Sequence, residues 1–168
     1  MDDKNSATID VPAIACDLTD APDTADERMI EYDRLFTQAL TGRERTGAGV
    51  RLRFRPDDGV EEWVRDLAAR EKACCPFYDF AVSAVDGEVW WDISLVHGAA
   101  DDEKTARTLL ETYYHAPDYA ADGVAGMTKW LAGEGFAVTT TDSGMVMQVD
   151  PAVADVTGVT PSGVESGT

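Results

Sequence analysis

The chain has 168 residues, enough for one domain with a buried core and short tails. Its 32 acidic residues outnumber 14 basic residues, which gives a formal net charge of −18. We therefore exclude DNA, RNA and anionic membrane surfaces as expected partners, because binding them requires clustered lysine and arginine.

The first ten residues are polar and acidic, and they lack the apolar core of a secretory signal. No apolar run approaches the roughly 18 residues that a transmembrane helix needs. We expect a soluble, cytoplasmic protein. It would have a disordered N-terminus over residues 1–10, a single domain over residues 11–150 and a flexible tail over residues 151–168.

The first predicted elements are a strand and a helix. Residues 11–18 are typical of a short strand, which carries Cys16. Apolar residues then recur at spacings of three and four, which predicts a helix over residues 24–40. Thr19 and Asp23 are both candidates for its cap.

We expect Gly42 to end this helix and residues 43–48 to form a loop. Residues 50–55 alternate strictly between apolar and basic side chains, which predicts a half-buried strand. Its basic face, formed by Arg51, Arg53 and Arg55, is expected to pair with nearby acidic residues. A turn follows over residues 56–59.

Helical spacing returns over residues 60–74, and Pro76 then ends the helix because it lacks an N–H. Residues 77–85 and 89–96 predict two strands. The dipeptide Asp86-Gly87 between them is a strong signal for a two-residue hairpin turn.

The last third of the chain predicts two helices and a second hairpin. The helices fall over residues 102–114 and 120–132, with a break over residues 115–118, and the hairpin over residues 136–149. Helices mixed with hairpins indicate an α+β fold, with a mostly antiparallel sheet and helices packed on one face.

Three cysteines are the candidates for special chemistry. Glu71, Cys74 and Cys75 stand at positions i, i+3 and i+4, so the carboxylate can lie beside both sulfur atoms at the end of the helix. Cys16 would bring a third sulfur atom. In a reducing compartment we expect free thiols, ligands or redox groups rather than a disulfide framework.

Three converging sulfur atoms would suit a thiophilic ion such as Hg(II), As(III) or Cu(I), and would partly satisfy Zn(II). Glu71, His97, His115, water or substrate could take a further position at the ion. Glu71, as a proton carrier, and the same two histidines are candidate catalytic groups, although a surface histidine is the more common case. Buried cysteines that pack as small hydrophobic side chains stay an alternative.

The cysteine motifs also resemble a family of small, poorly characterised bacterial proteins. These begin with Ile-Ala-Cys-x-Leu-Thr, matched here by Ile14 to Thr19, and continue with a helix ending in Glu-Arg-x-Cys-Cys-Pro-Phe, matched by Glu71 to Phe77. The resemblance covers residues 14–95, with Lys72 where the family has arginine, and leaves residues 101–150 as an extension. It implies one shared site for the three cysteines and a loose link to resistance against mercury or other heavy metals.

We therefore expect that Cys16, Cys74 and Cys75 are metal ligands. Their site would bind a soft metal or metalloid ion for sensing, sequestration or detoxification. A second hypothesis is an enzyme that uses this site, with or without a metal, on a small molecule. A third is a non-catalytic interaction module with buried structural cysteines. The sequence leaves open whether the protein forms a homodimer.

Overall fold

A computed structural model of the chain describes residues 14–100, 102–141 and 144–149. The expectations for residues 1–10 and 151–168 lie outside this part of the chain. The described residues form seven strands, five α-helices and one turn of 3-10 helix (Ala120–Asp122). The strands are β1 (Ile14–Asp17), β2 (Leu40–Arg45), β3 (Gly49–Phe54), β4 (Tyr78–Val85), β5 (Glu88–Leu95), β6 (Phe136–Thr141) and β7 (Gly144–Val149). The helices are α1 (Ala25–Ala39), α2 (Val60–Cys74), α3 (Glu103–Tyr114), α4 (Ala116–Tyr119) and α5 (Gly123–Gly133).

The strands form two antiparallel sheets. The larger has the order β2-β3-β5-β4, and the smaller has the order β1-β7-β6. Helices combined with antiparallel sheets confirm the predicted α+β fold, although the sequence suggested one sheet rather than two. The smaller sheet joins the first described strand to the last, with Cys16 opposite Met145.

The core lies on one face of the larger sheet, because the buried residues of its central strands alternate. They are Val50, Leu52, Phe54, Val89, Trp91 and Ile93. Tyr32 of α1 stacks on Trp91 with ring centroids 6.0 Å apart, and α3 packs against β3 and β5. The opposite face carries ion pairs, such as Arg51 Nε with Asp92 Oδ1 at 2.7 Å, as the sequence predicted.

Two predictions of irregular structure were wrong in part. Half of the expected loop over residues 43–48 belongs to strand β2, because Leu40–Arg45 pairs with β3 across an irregularity in the register near Gly42, and residues 46–48 form the loop. The expected break over residues 115–118 contains the short helix α4. Its Pro117 is tolerated there, because the first turn of a helix does not use that N–H.

The cap of α1 was also misassigned. Thr24, rather than Thr19 or Asp23, caps the helix, and its side chain exchanges hydrogen bonds with Glu27 in a capping box. The two-residue turn at Asp86-Gly87 is confirmed, with positive φ angles of 49° and 77°. No helix among the described residues has both the length and the apolar character needed to cross a membrane.

Candidate functional site

The end of helix α2 positions two of the predicted side chains. Glu71 and Cys74 both belong to its buried face, as their spacing predicted. Cys75 leaves the helical conformation at the C-cap, and its N–H still donates to the Glu71 carbonyl at 2.8 Å. Pro76 prevents another turn, so the side chains of Cys74 and Cys75 are freed from regular helical spacing.

Cys16 and Cys75 form a disulfide, which corrects the expectation of three free thiols. Their Cα atoms lie 5.0 Å apart, inside the range that a disulfide bridges without backbone movement. The pairing of β1 with β7 holds Cys16 beside the end of α2. The bond therefore ties the smaller sheet to the helix that packs on the larger one.

The third sulfur atom belongs to Cys74, which is free and buried. Its Sγ lies 3.4 Å from the Sγ of Cys75. One ligand atom each of Glu71, Cys74 and Cys75 lies within 4.8 Å of the others. The fold thus brings all three cysteines and Glu71 into one cluster.

A buried arginine that the sequence analysis missed lies against this cluster. The Nη1 of Arg28 is 3.2 Å from Cys74 Sγ and donates to Glu71 Oε1 at 3.1 Å. Its other nitrogen atoms donate to both oxygens of Asp23. Burial alone would lower the pKa of Arg28. The hydrogen bond to Asp23 and the negative groups around the guanidinium have the larger combined effect and raise the pKa, so Arg28 stays charged.

Both carboxylate oxygens of Glu71 are engaged. Oε1 accepts from Arg28, and Oε2 accepts from the hydroxyl of Tyr113 at 2.5 Å. Burial, followed by the charge of Glu71, raises the pKa of Tyr113 well above its usual value, so the hydroxyl keeps its proton and donates. Glu71 therefore acts here as an acceptor that orders Arg28 and Tyr113.

Burial makes Cys74 a weak acid. Loss of hydration, with the negative charge of Glu71 added to it, raises the pKa of the thiol to about 11, while Arg28 acts in the opposite direction. The S–H also faces the carbonyl of Glu71 at 3.4 Å. At neutral pH the group is a thiol, which an ion or another electrophile must deprotonate on binding.

A cavity of about 110 Å³ adjoins the sulfur cluster. The three cysteines and Glu71 form part of its wall, and most of the remainder is apolar or aromatic, including Met29, Met127, Met145 and Met147. Tyr32 also lines the cavity, and its buried hydroxyl makes no hydrogen bond of ordinary geometry among the described residues, although burial and then the nearby Glu71 raise its pKa. Burying a hydroxyl without a hydrogen bond costs about 1–3 kcal/mol of folding free energy, which a ligand that bonds to the hydroxyl can recover.

A second, more polar pocket of about 150 Å³ lies on the other side of Cys74. Its wall includes Asp17, Asp20, Arg28 and Arg70. Cys74 thus lines both the polar pocket and the apolar cavity.

The chain matches no family model, no curated protein and no solved structure.

The two candidate histidines are not part of the cluster. His97 is exposed in the loop after β5. His115 follows α3, where its ring nitrogens lie 3.2 Å from carboxylate oxygens of Glu111 and Asp118. Neither residue lines the cavity, whereas Glu71, the other candidate for a fourth position, lies beside the sulfur atoms of Cys74 and Cys75.

Sequence patterns could have revealed part of what was missed. Arg28 stands four residues before Tyr32 and seven before Leu35, on the same helical face as the buried residues of α1. Met145 and Met147 alternate along β7 and so share a face. No local pattern, however, indicates that β7 lies beside the strand of Cys16.

Proposed function

We propose that the reduced protein binds one soft metal or metalloid ion through Cys16, Cys74 and Cys75. The observation that carries this proposal is the meeting of all three sulfur atoms at one place. Two are close enough to be bonded, and the third lies 3.4 Å from its neighbour. Sulfur ligands select thiophilic ions over Mg²⁺ or Ca²⁺.

The surroundings of the sulfur atoms support the same function. Arg28 offsets negative charge that develops when the thiols lose their protons, and the polar pocket beside Cys74 offers an entry path. The motif resemblance to proteins linked with heavy-metal resistance favours the same class of ion. Because each thiol releases a proton on binding, affinity rises with pH.

Trivalent arsenic is a suitable probe of this site. Arsenous acid reacts with three thiols to form three As–S bonds and release three water molecules, so atoms and protons balance. The reaction requires the Cys16–Cys75 disulfide to be reduced first by an external dithiol. The oxidised form of the same chain is therefore the matched control.

Native mass spectrometry of reduced protein with arsenite tests the proposal. We expect one arsenic atom per chain, loss of all three reactive thiols, and no such adduct with the oxidised protein. Cys16→Ser, Cys74→Ser and Cys75→Ser should each weaken binding by at least tenfold. Unchanged affinity in Cys75→Ser would overturn the three-sulfur site, and thiols that stay silent until unfolding would favour a structural role.

Thiol-dependent catalysis is a second candidate. It is favoured by the 3.4 Å separation between Cys74 Sγ and a disulfide sulfur, since thiol–disulfide exchange needs such an approach. The raised pKa of Cys74 opposes it, because at pH 7 only about one molecule in 10,000 carries the thiolate. Rapid alkylation of Cys74 in the oxidised protein at pH 7 would favour this candidate over ion binding.

A further inference from the structure

The size of the apolar cavity bears on what kind of ligand the sulfur atoms hold. One water molecule needs roughly 10–15 Å³ of such space, and a cavity of about 150 Å³ with apolar walls can hold benzene. The cavity beside the cluster measures about 110 Å³. A bare ion bound to the sulfur atoms would leave most of this space unfilled.

The lining of the cavity has two chemical components. Cys16 and Cys75 contribute sulfur atoms, and Ala116, Leu131 and Met147 contribute buried apolar surface. An apolar lining gains dispersion contacts when a ligand of matching shape packs against it. A ligand with a thiophilic atom and a small hydrocarbon group would satisfy both parts.

We infer that the site is built for a trivalent metalloid that carries one small alkyl group, with monoalkyl arsenic(III) as its representative. The arsenic atom bonds to Cys16 and Cys75, and the alkyl group fills the cavity. This inference rests on the proposed function, because it requires the reduced cysteines to bind arsenic at all. It adds the class of ligand to that function.

A monoalkyl arsenic(III) centre can form two bonds to sulfur, which matches the two cysteines that are paired in the oxidised protein. An alkylarsonous acid has one As–C bond and two As–OH groups. Reaction with two thiols forms two As–S bonds, breaks two As–O bonds and releases two water molecules, while the As–C bond stays intact. Cys74 then keeps its proton and its contact with Arg28, whereas arsenite would engage all three sulfur atoms.

A homologous series of ligands measures the contribution of the cavity directly. Methyl-, ethyl- and n-propylarsonous acid form the same two As–S bonds and differ only in methylene groups. Each buried methylene should tighten binding to the reduced protein about fourfold until the cavity is full. Competition calorimetry against a dithiol gives the three dissociation constants.

A variant that fills the cavity should remove this dependence. Ala116→Leu adds three carbon atoms at a buried position of the wall, and Ala132→Leu adds the same atoms at an exposed position of α5. We expect the gain per methylene to vanish in Ala116→Leu and to persist in Ala132→Leu. Met127→Trp, at a partly buried position of the wall, is a second filling variant should Ala116→Leu fail to fold.

Two failures can be told apart. Affinities that stay equal across the three alkyl ligands, while arsenite still binds, would overturn the ligand class and leave the proposed function intact. If neither arsenite nor the alkyl ligands bind, the proposed function itself fails. Cys74→Ser adds an independent check, because it should weaken arsenite at least tenfold and change ethylarsonous acid less than twofold.

Discussion

Arg28 and Glu71 stabilise each other in the interior, and the same guanidinium nitrogen that donates to Glu71 also contacts Cys74 Sγ. Each residue of the pair is about 5–6 % exposed. Removing one partner of a buried ion pair leaves the other charge without compensation, which is strongly destabilising. The pair therefore sets both local stability and the acidity of the neighbouring thiol.

Glu71→Gln should make Cys74 more acidic. The change removes a negative charge that raises the pKa of Cys74 and leaves the contribution of Arg28, so the pKa should fall below about 11. In the oxidised protein Cys74 is the remaining free cysteine, so alkylation rate against pH reports it alone. Stability should drop by roughly 2–4 kcal/mol in urea unfolding.

Glu31→Gln is the matched control for this prediction. Glu31 accepts hydrogen bonds from Arg70 and Trp63 rather than from Arg28. The same loss of charge should therefore leave the pH profile of Cys74 alkylation unchanged. Equal changes of the profile in both variants would mean that net charge, rather than the contact with Glu71, controls the thiol.

The raised pKa of Cys74 also predicts how stability depends on pH. A thiol with an ordinary pKa near 9.0 loses its proton in the unfolded chain before it does so at about 11 in the folded protein. The folded state therefore binds more protons between pH 9 and pH 11, and stability falls as pH rises through that range. This difference in pKa between the folded and unfolded chain corresponds to about 2–3 kcal/mol of unfolding free energy.

Cys74→Ser isolates this effect, because serine does not titrate there. Buried tyrosines such as Tyr32 and Tyr78 also lower stability at high pH, since burial raises their pKa values. We expect the decline in urea unfolding free energy from pH 9 to pH 11 to be smaller in the variant by about 2–3 kcal/mol. Identical declines in the two proteins would contradict the assignment to Cys74.

Among the elements, the strand β1 is short, and we expect the disulfide to contribute much of the stability of its packing. It has four residues, pairs with β7 at the edge of the smaller sheet, and is tied to the end of α2 by Cys16. The bond joins positions 59 residues apart. Closing a loop of this size stabilises a fold by about 4 kcal/mol in the chain-entropy account.

Reduction should therefore destabilise the protein by about 2–4 kcal/mol, measured as the urea unfolding free energy with and without a dithiol. Cys74→Ser keeps the bond and should respond as the wild type does. Cys16→Ser cannot form it and should be insensitive to the dithiol. A response in Cys16→Ser would show that the reductant acts elsewhere.

Local patterns predicted the elements well where burial alternates or recurs. The hairpin of β4 and β5, the helix α2 and the strand β3 follow from periodicity and turn residues alone. The strand β2 was missed because its pairing with β3 is supported by ion pairs such as Arg51 with Glu44, rather than by an apolar pattern. Strand pairing between distant segments lies beyond such patterns.

In the candidate site, too, some features follow from local sequence patterns and others depend on contacts between distant segments. The positions of Glu71, Cys74 and Cys75 on one buried face follow from helical spacing. The arrival of Cys16, the burial of Arg28 and the four methionines of the cavity depend on how β1, α1, α5 and β7 pack together. The sequence therefore indicates the sulfur ligands, while the cavity emerges only from tertiary structure.

For the whole molecule, the dominant electrostatic quantity is the net charge of −18. Most described arginines are already paired with carboxylates, as in Arg43 with Asp118 and Arg45 with Glu111, so the excess negative charge is not balanced locally. Repulsion within a compact state of this charge lowers stability. Salt screens such repulsion over a distance of about 10 Å at 0.1 M.

Added potassium chloride should therefore raise the melting temperature, with most of the gain below about 0.5 M. The measurement is thermal unfolding of the oxidised protein across a salt series, with sucrose solutions of matched osmolality as the control. A melting temperature that falls with salt would show that screening of the ion pairs outweighs screening of the net repulsion.

The pairing of β1 with β7 has a consequence for how the protein is made. A ribosome delivers Cys16 first, then Cys74 and Cys75, and only much later the strand that carries Met145 and Met147. Throughout that interval the sulfur atoms exist without the wall that will enclose them. The nascent chain thus passes through a stage in which its thiols meet the reductants, oxidants and metals of the surrounding solution, before the last strand closes over them.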